Sequence, residues 1–168
     1  MKTDAYLSFM LDYSAGTLPP EQALAAQLHV LLSPEGRANA SVWQAVGDVL
    51  HDHSATDHFL PEALEISRAD YSKVPWKRGL SGVQMAKRGK DRGQFMRLDP
   101  GQSAPEHSHS APEATVVLQG QFEDGHGVYK RGDLVVAAPG HRHRPAAFGD
   151  ESCICFVGRA PLPFWRLS

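Results

Sequence analysis

The amino-terminal part of the chain carries apolar residues at the spacing of amphipathic helices. Residues 5–14 form the first predicted helix, which ends before the helix-breaking sequence Gly-Thr-Leu-Pro-Pro at 16–20. The second helix is predicted over residues 21–32. A third is predicted to begin with Ser33 as its N-cap and Pro34 in its first turn, and to run to about His51. Its apolar residues, which we expect to be buried, are Ala38, Val42, Val46, Val49 and Leu50.

The pattern then changes from helical spacing to short apolar runs separated by Gly and Pro. Residues 52–75 mix His, Asp, Pro and Ser with little periodicity and are interpreted as a linker. From Trp76 onward, strands are predicted at 82–85, 94–98, 114–118, 127–129, 134–138 and 152–157. Such strands are typical of a barrel or jelly roll, so we expect a mainly β protein preceded by a small helical segment. The expected division is 1–55 helical, 56–75 linker and 76–168 barrel.

Composition narrows the function classes. The chain has 168 residues, 42% of them hydrophobic, and a formal net charge of −2. It therefore has no basic surface for direct nucleic-acid binding. No apolar run approaches the ~20 residues of a membrane span, and the acidic Asp4 and Asp12 argue against a signal peptide. Cys153 and Cys155 stand two apart on a predicted strand, an arrangement that does not favour a disulfide between them. We expect a cytoplasmic protein.

Two histidines and a glutamate form the most informative motif. Residues 101–120 read G-x5-H-x-H-x3-E-x6-G, with His107, His109 and Glu113 at the polar positions. Because side chains alternate along a strand, His107 and His109 are predicted to point the same way, and Glu113 begins the next strand. Imidazole nitrogens and a carboxylate oxygen are ligands of divalent transition metals. A fourth ligand is expected from a later strand: we favour His143, with His141 as the alternative.

This motif resembles the first signature of the cupin superfamily, and residues 132–143 resemble the second signature more loosely. The resemblance implies a cupin jelly-roll barrel that holds one divalent metal ion per chain, with zinc favoured over iron, manganese or nickel. Four ligands fill a tetrahedral zinc site, whereas octahedral iron or manganese keeps two positions open, which separates a sensor from an enzyme. The alternative is that these histidines are exposed polar residues of a metal-free barrel.

A closer resemblance covers nearly the whole chain. Residues 11–18 (LDYSAGTL), 29–37 (HVLLSPEGR), 115–122 (TVVLQGQF), 132–133 and 153–155 resemble the ChrR family of anti-sigma factors, which join a helical domain to a carboxy-terminal cupin. The resemblance implies that residues 5–51 bind an extracytoplasmic-function sigma factor and that the metal-bound cupin governs its release under oxidative or similar stress. The alternative function is a cupin dioxygenase-like metalloenzyme acting on a small chelating substrate.

The chain departs from this family in its helical segment. The family holds zinc there with H-x3-C-x2-C, but Ser33 and Gly36 follow His29 in place of the cysteines, and the position of an upstream histidine ligand falls near Asp4. Without thiolates we expect no structural zinc in this segment, and helices held by apolar packing alone. We expect these helices to pack on the barrel or on another subunit, in a homodimer, and His29 to be partly exposed.

The remaining histidines and the cysteines receive simpler interpretations. His51, His53 and His58 are interpreted as a solvated helix end rather than a second metal site. His126 is predicted to lie in a hairpin loop and is given little functional weight. The two cysteines are predicted to be small apolar core residues, with a redox-sensing role near the metal as the alternative.

Overall fold

Four α-helices precede or flank the barrel in the computed structural model, which describes residues 3–47, 57–79, 81–89 and 92–159. They are α1 (Asp4–Ser14), α2 (Pro20–Leu32), α3 (Pro34–Gly47) and α4 (Leu60–Ser67). The first two follow the predicted bounds closely. Ser33 caps α3 as predicted, because its Oγ accepts a hydrogen bond from the Gly36 amide at 3.2 Å.

Eleven described strands form three antiparallel sheets. The six-stranded sheet has the order β1-β2-β3-β11-β5-β8, a three-stranded sheet the order β10-β6-β7, and β4 pairs with β9. The mainly β fold with a helical amino-terminal segment is thereby confirmed. The strands are β1 (Lys77–Arg78), β2 (Gln84–Lys87), β3 (Gln94–Leu98), β4 (His107–Ser108), β5 (Glu113–Gln119), β6 (Gln121–Glu123), β7 (Val128–Lys130), β8 (Leu134–Ala137), β9 (Arg142–His143), β10 (Ala146–Ala147) and β11 (Cys153–Arg159).

Strands β5 and β11 are buried on both faces, because helices cover the outside of the sheet that closes the barrel. On β11, Ile154 and Phe156 belong to the core shared with the helices. Cys153 and Cys155 face the other way, into the core inside the barrel. Both cysteines are free and buried, with Sγ atoms 3.6 Å apart, as predicted for core thiols.

Helix α2 lies directly on the outer face of β5 and β11. The approach is so close that a Cβ atom at Gly158 would collide with the carbonyl oxygen of Glu21. Gln22 also donates a hydrogen bond to the carbonyl of Pro112 at 3.0 Å. The helical segment therefore packs on the barrel of its own chain, the first of the two arrangements expected from the sequence.

A buried chain of hydrogen bonds also holds the helices, which corrects the expectation of apolar packing alone. His29 is fully buried rather than partly exposed. Its Nδ1 lies 2.6 Å from the Gly132 carbonyl oxygen, which can only accept, so Nδ1 carries the proton. Its Nε2 then accepts from the Tyr6 hydroxyl at 3.0 Å, and Asn39 donates to that hydroxyl at 3.1 Å. These hydrogen bonds join α1, α2 and α3 to the turn between β7 and β8.

The predicted buried face of α3 is wrong. Ala38 is exposed and Val42 has a relative exposure of 61%. Gly36 is the buried position instead: a Cβ there would lie 2.6 Å from the His29 carbonyl oxygen. This close approach turns the Gly36 side of α3 toward α2, and Trp43, two turns further on, packs against the core. Val46 has no described side-chain environment, and Val49 and Leu50 lie outside the described residues.

The described part of the predicted linker contains a helix that periodicity did not indicate. Helix α4 packs against α2, and its Ala63 and Ile66 are buried in the core between the helices and the barrel. With eight residues it is too short for helical spacing to stand out from a Pro- and Asp-containing sequence. No helix among the described residues is both long and apolar enough to cross a membrane.

Candidate metal centre

Three histidines converge inside the barrel. His107 on β4 and His143 on β9 are directly opposite partners in an antiparallel pair, so their side chains share a face. His109, two residues after His107, joins them. The Nε2 atom of His143 lies 3.1 Å from that of His109 and 3.2 Å from that of His107. These separations suit nitrogens bound at about 2.1 Å to one ion.

The protonation of these rings favours metal binding. The Pro105 carbonyl lies 2.8 Å from His107 Nδ1 and can only accept, so Nδ1 carries a proton and Nε2 is the nitrogen of His107 that can bind a metal. Burial lowers the pKa of His109, and the Arg159 charge lowers it further. Burial and the two neighbouring imidazoles lower the pKa of His143 from 6.5 to about 4. Both rings are therefore neutral at pH 7, the form that binds metals.

Glu113 lies beside the histidines but is also engaged by an arginine. Its Oε1 is 3.3 Å from His109 Nε2. Its Oε2 accepts hydrogen bonds from Arg159 Nε at 3.0 Å and from Arg159 Nη2 at 2.6 Å. The carboxylate is buried, whereas the arginine side chain is half exposed. Glu113 therefore has one oxygen directed toward the cluster and the other held at the barrel surface.

His143, rather than His141, accompanies His107 and His109. The three clustered histidines each offer one nitrogen within 4.8 Å of the others. The His141 ring lies 6.1 Å from the His143 ring, measured between centroids, and only 4.7 Å from that of His126. His126 does lie in the predicted hairpin, between β6 and β7.

The space beside the cluster is small. A cavity of about 30 Å³ adjoins His107, Glu113 and His143. Pockets for small organic ligands usually have volumes of about 300 to 1,000 Å³, so this cavity suits an ion or a water rather than an organic substrate. Its remaining walls are mainly apolar and come from Met96, Thr115, Phe122, Val135, Ala137 and Pro145.

Sequence reasoning missed the two groups that orient this cluster. Arg159 faces Glu113 because β11 pairs with β5 in a register that shifts between Ile154 and Cys155. A shift of this kind leaves no mark in the spacing of residues, so the pairing could not be inferred. The Pro105 carbonyl is a backbone group, for which the sequence gives no signal beyond its nearness to His107.

The antiparallel barrel with three converging histidines is that of a cupin with a metal-binding cluster. Residues 66–163 match the ChrR cupin-like domain family, and the chain belongs to that family. The chain is 29% identical to anti-sigma-E factor ChrR of Cereibacter sphaeroides over 90% of its own length and 87% of that protein. A crystal structure of Rhodobacter sphaeroides SigE in complex with the anti-sigma ChrR matches with a TM-score of 0.72 and 26% identity. That match covers 92% of this chain and 96% of the other.

Proposed function

We propose that this protein is a metal-binding cupin regulator whose helical segment binds an extracytoplasmic-function sigma factor. The observation that supports the proposal is the extent of the match to ChrR in the crystal structure of its complex with SigE. It covers 92% of this chain, so it includes the helices as well as the cupin. Because a sigma factor acts with RNA polymerase, the proposed site of action is the cytoplasm, and a homodimer remains part of the proposal.

The exposed apolar residues of the helices support this assignment. Leu7 and Leu11 stand one turn apart on α1 with relative exposures of 40% and 45%, and Val42 on α3 is exposed by 61%. Residues four apart lie on the same side of a helix, so the two leucines form one apolar strip. Such a strip suits an apolar partner surface. We propose that it contacts the sigma factor.

For the metal we propose His107, His109 and His143 as ligands, with Glu113 as the fourth, and zinc as the ion. The convergence of three Nε2 atoms supports this set, since the Nε2 of His143 lies 3.1 Å from that of His109 and 3.2 Å from that of His107, separations that suit nitrogens bound to one ion. Four such ligands would give zinc a closed shell, as in structural and sensing sites. The cavity of about 30 Å³ favours this function over the dioxygenase-like alternative, which needs room for a substrate.

The sigma-factor proposal is tested by mixing the purified full-length protein with each extracytoplasmic-function sigma factor of its source organism and separating complexes by gel filtration. We expect one of them to form a stable complex. Leu7→Asp/Leu11→Asp should abolish this complex while the variant keeps its metal and its melting temperature. Phe148→Asp is the matched control, because Phe148 lies on the barrel with the same 45% exposure as Leu11. Failure of every sigma factor to bind, or equal binding by the double variant, contradicts the proposal.

A further inference from the structure

A cleft separates the helices from two turns of the barrel. It has a volume of about 610 Å³. Thr3, Tyr6 and Glu35 form its helical wall, and the β6–β7 and β8–β9 turns contribute His126 and His141 to the barrel wall. Val135 lines both this cleft and the small cavity beside the three-histidine cluster. The cleft is thus a separate space that shares one wall with the metal centre.

The rings of the two histidines of the cleft lie as close together as the rings of the three-histidine cluster. The centroids of the His126 and His141 rings are 4.7 Å apart, with the ring planes inclined at 44°. Within the three-histidine cluster the corresponding distances are 4.6, 4.7 and 5.2 Å. Both rings of the cleft are exposed, so an ion can reach them from solvent.

The backbone beneath each of these rings is fixed. The carboxylate of Asp124, which is buried, accepts hydrogen bonds from the His126 amide at 2.9 Å and the Gly127 amide at 3.2 Å. On the other side, the His141 amide donates to the Ala138 carbonyl at 3.1 Å. A pair of ligands on fixed turns loses little conformational freedom when an ion binds, which favours affinity.

The charge of the cleft favours a cation. The acidic Asp124 lines it, and none of its described lining residues is a lysine or an arginine. Imidazole is a preferred ligand of Zn²⁺, Cu²⁺ and Ni²⁺, whereas Mg²⁺ and Ca²⁺ prefer oxygen.

We propose that His126 and His141 form a second, open binding site for a divalent transition-metal ion. Two imidazoles ligate the ion and water fills its remaining positions. The turn that carries His141 is tied to the first site, because the Gly140 amide donates to the carbonyl of His109 at 2.8 Å. The second ion therefore lies between the helical segment and the barrel, and the β8–β9 turn connects its site to the metal centre.

The test is the stoichiometry of Zn²⁺ bound to the full-length protein, measured by equilibrium dialysis and elemental analysis. We expect two ions per chain for the native protein at saturation and one for His126→Ala/His141→Ala. His58→Ala, which removes an exposed imidazole elsewhere, should still bind two. The double variant changes only exposed side chains, and its melting curve verifies that it folds.

Two outcomes overturn the second site: saturation of the native protein at one ion, or a second ion that the double variant retains. The second outcome would show adventitious binding elsewhere on the chain. His107→Ala/His109→Ala separates this proposal from that for the first site. If that variant retains the tight ion while His126→Ala/His141→Ala still loses one, the proposed ligands of the first site are wrong and the second site stands.

Discussion

Arg159 donates two hydrogen bonds to a single carboxylate oxygen of Glu113, from the end of β11 to the start of β5. The two residues are direct partners in the register of the sheet. The other oxygen of Glu113 is left 3.3 Å from His109. The arginine thus determines both the orientation of the carboxylate and the electrostatic environment of the nearest histidine.

Replacing this arginine should raise the pKa of His109 in the metal-free protein. The Arg159 charge lowers that pKa, and the Glu113 charge raises it. In Arg159→Met the first effect disappears, and the freed carboxylate can turn fully toward the imidazole. An NMR titration of the His109 ring measures the change. Arg142→Met is the control, since Arg142 is an exposed residue paired at 3.6 Å with Glu106, and an unchanged His109 pKa in Arg159→Met would contradict the prediction.

Removing two of the clustered histidines should remove the tightly held ion. We expect His107→Ala/His109→Ala to lose its metal on gel filtration, because one imidazole and one carboxylate cannot hold the ion alone. His143→Ala should lose it too, whereas His141→Ala should retain it. Elemental analysis of each purified variant gives the result. Stoichiometric metal in the double variant, or loss in His141→Ala alone, would show that the ligand set is different.

The helical segment should depend on His29 rather than on a metal. His29→Ala leaves a cavity and removes hydrogen bonds to the Gly132 carbonyl and the Tyr6 hydroxyl, so we expect a loss of about 2 to 4 kcal/mol in the free energy of unfolding. Tyr6→Phe keeps the ring and should cost about 1 kcal/mol. Urea denaturation measures both.

Removing the metal with a chelator tests whether the helical segment depends on it. A chelator should leave the helical circular dichroism signal at 25 °C unchanged, because protein groups, the Gly132 carbonyl and the Tyr6 hydroxyl, engage both ring nitrogens of His29. His58→Ala, a change at an exposed histidine, should have a stability near that of the native protein. A native-like His29→Ala, or helices that melt on chelation, would contradict this account.

The metal-free protein should lose stability as the pH falls from about 6.5 to about 4. An unfolded His143 takes up a proton near 6.5, whereas in the fold its pKa is lowered to about 4. Between these values the unfolded chain binds more protons, so unfolding becomes more favourable as the pH falls. The lowered pKa of His109 acts in the same direction. The melting temperatures of the metal-free native protein and of metal-free His143→Gln should converge as the pH falls over this range. Melting temperatures that fall in parallel would contradict the lowered pKa of His143.

The features that the sequence predicted are those set by local chemistry. Ser33 lies at a helix start because its hydroxyl can cap a backbone amide there. His107 and His109 meet because alternation along a strand brings them to one side. The mainly β fold followed from turn residues at short intervals. None of these inferences required knowledge of which elements lie together in space.

The features that the sequence missed depend on contacts between distant elements. Spacing alone could not choose the buried side of α3, which is decided by the approach of Gly36 to His29. It could not place His126 beside His141 either, because each belongs to a different turn. The contact of Arg159 with Glu113 could not be predicted for the same reason. Residues that complete a site from another strand become visible only when the strand register is known.

Gly158 has a consequence for how this protein could have diversified. The outer surface of β11 is shaped to the backbone of α2 so closely that any side chain at this position would act as a wedge between them. A barrel inherited from another cupin would lack this groove unless it too had a glycine there. The two parts of the chain are therefore poor candidates for exchange by recombination, and changes in one are constrained by the surface of the other.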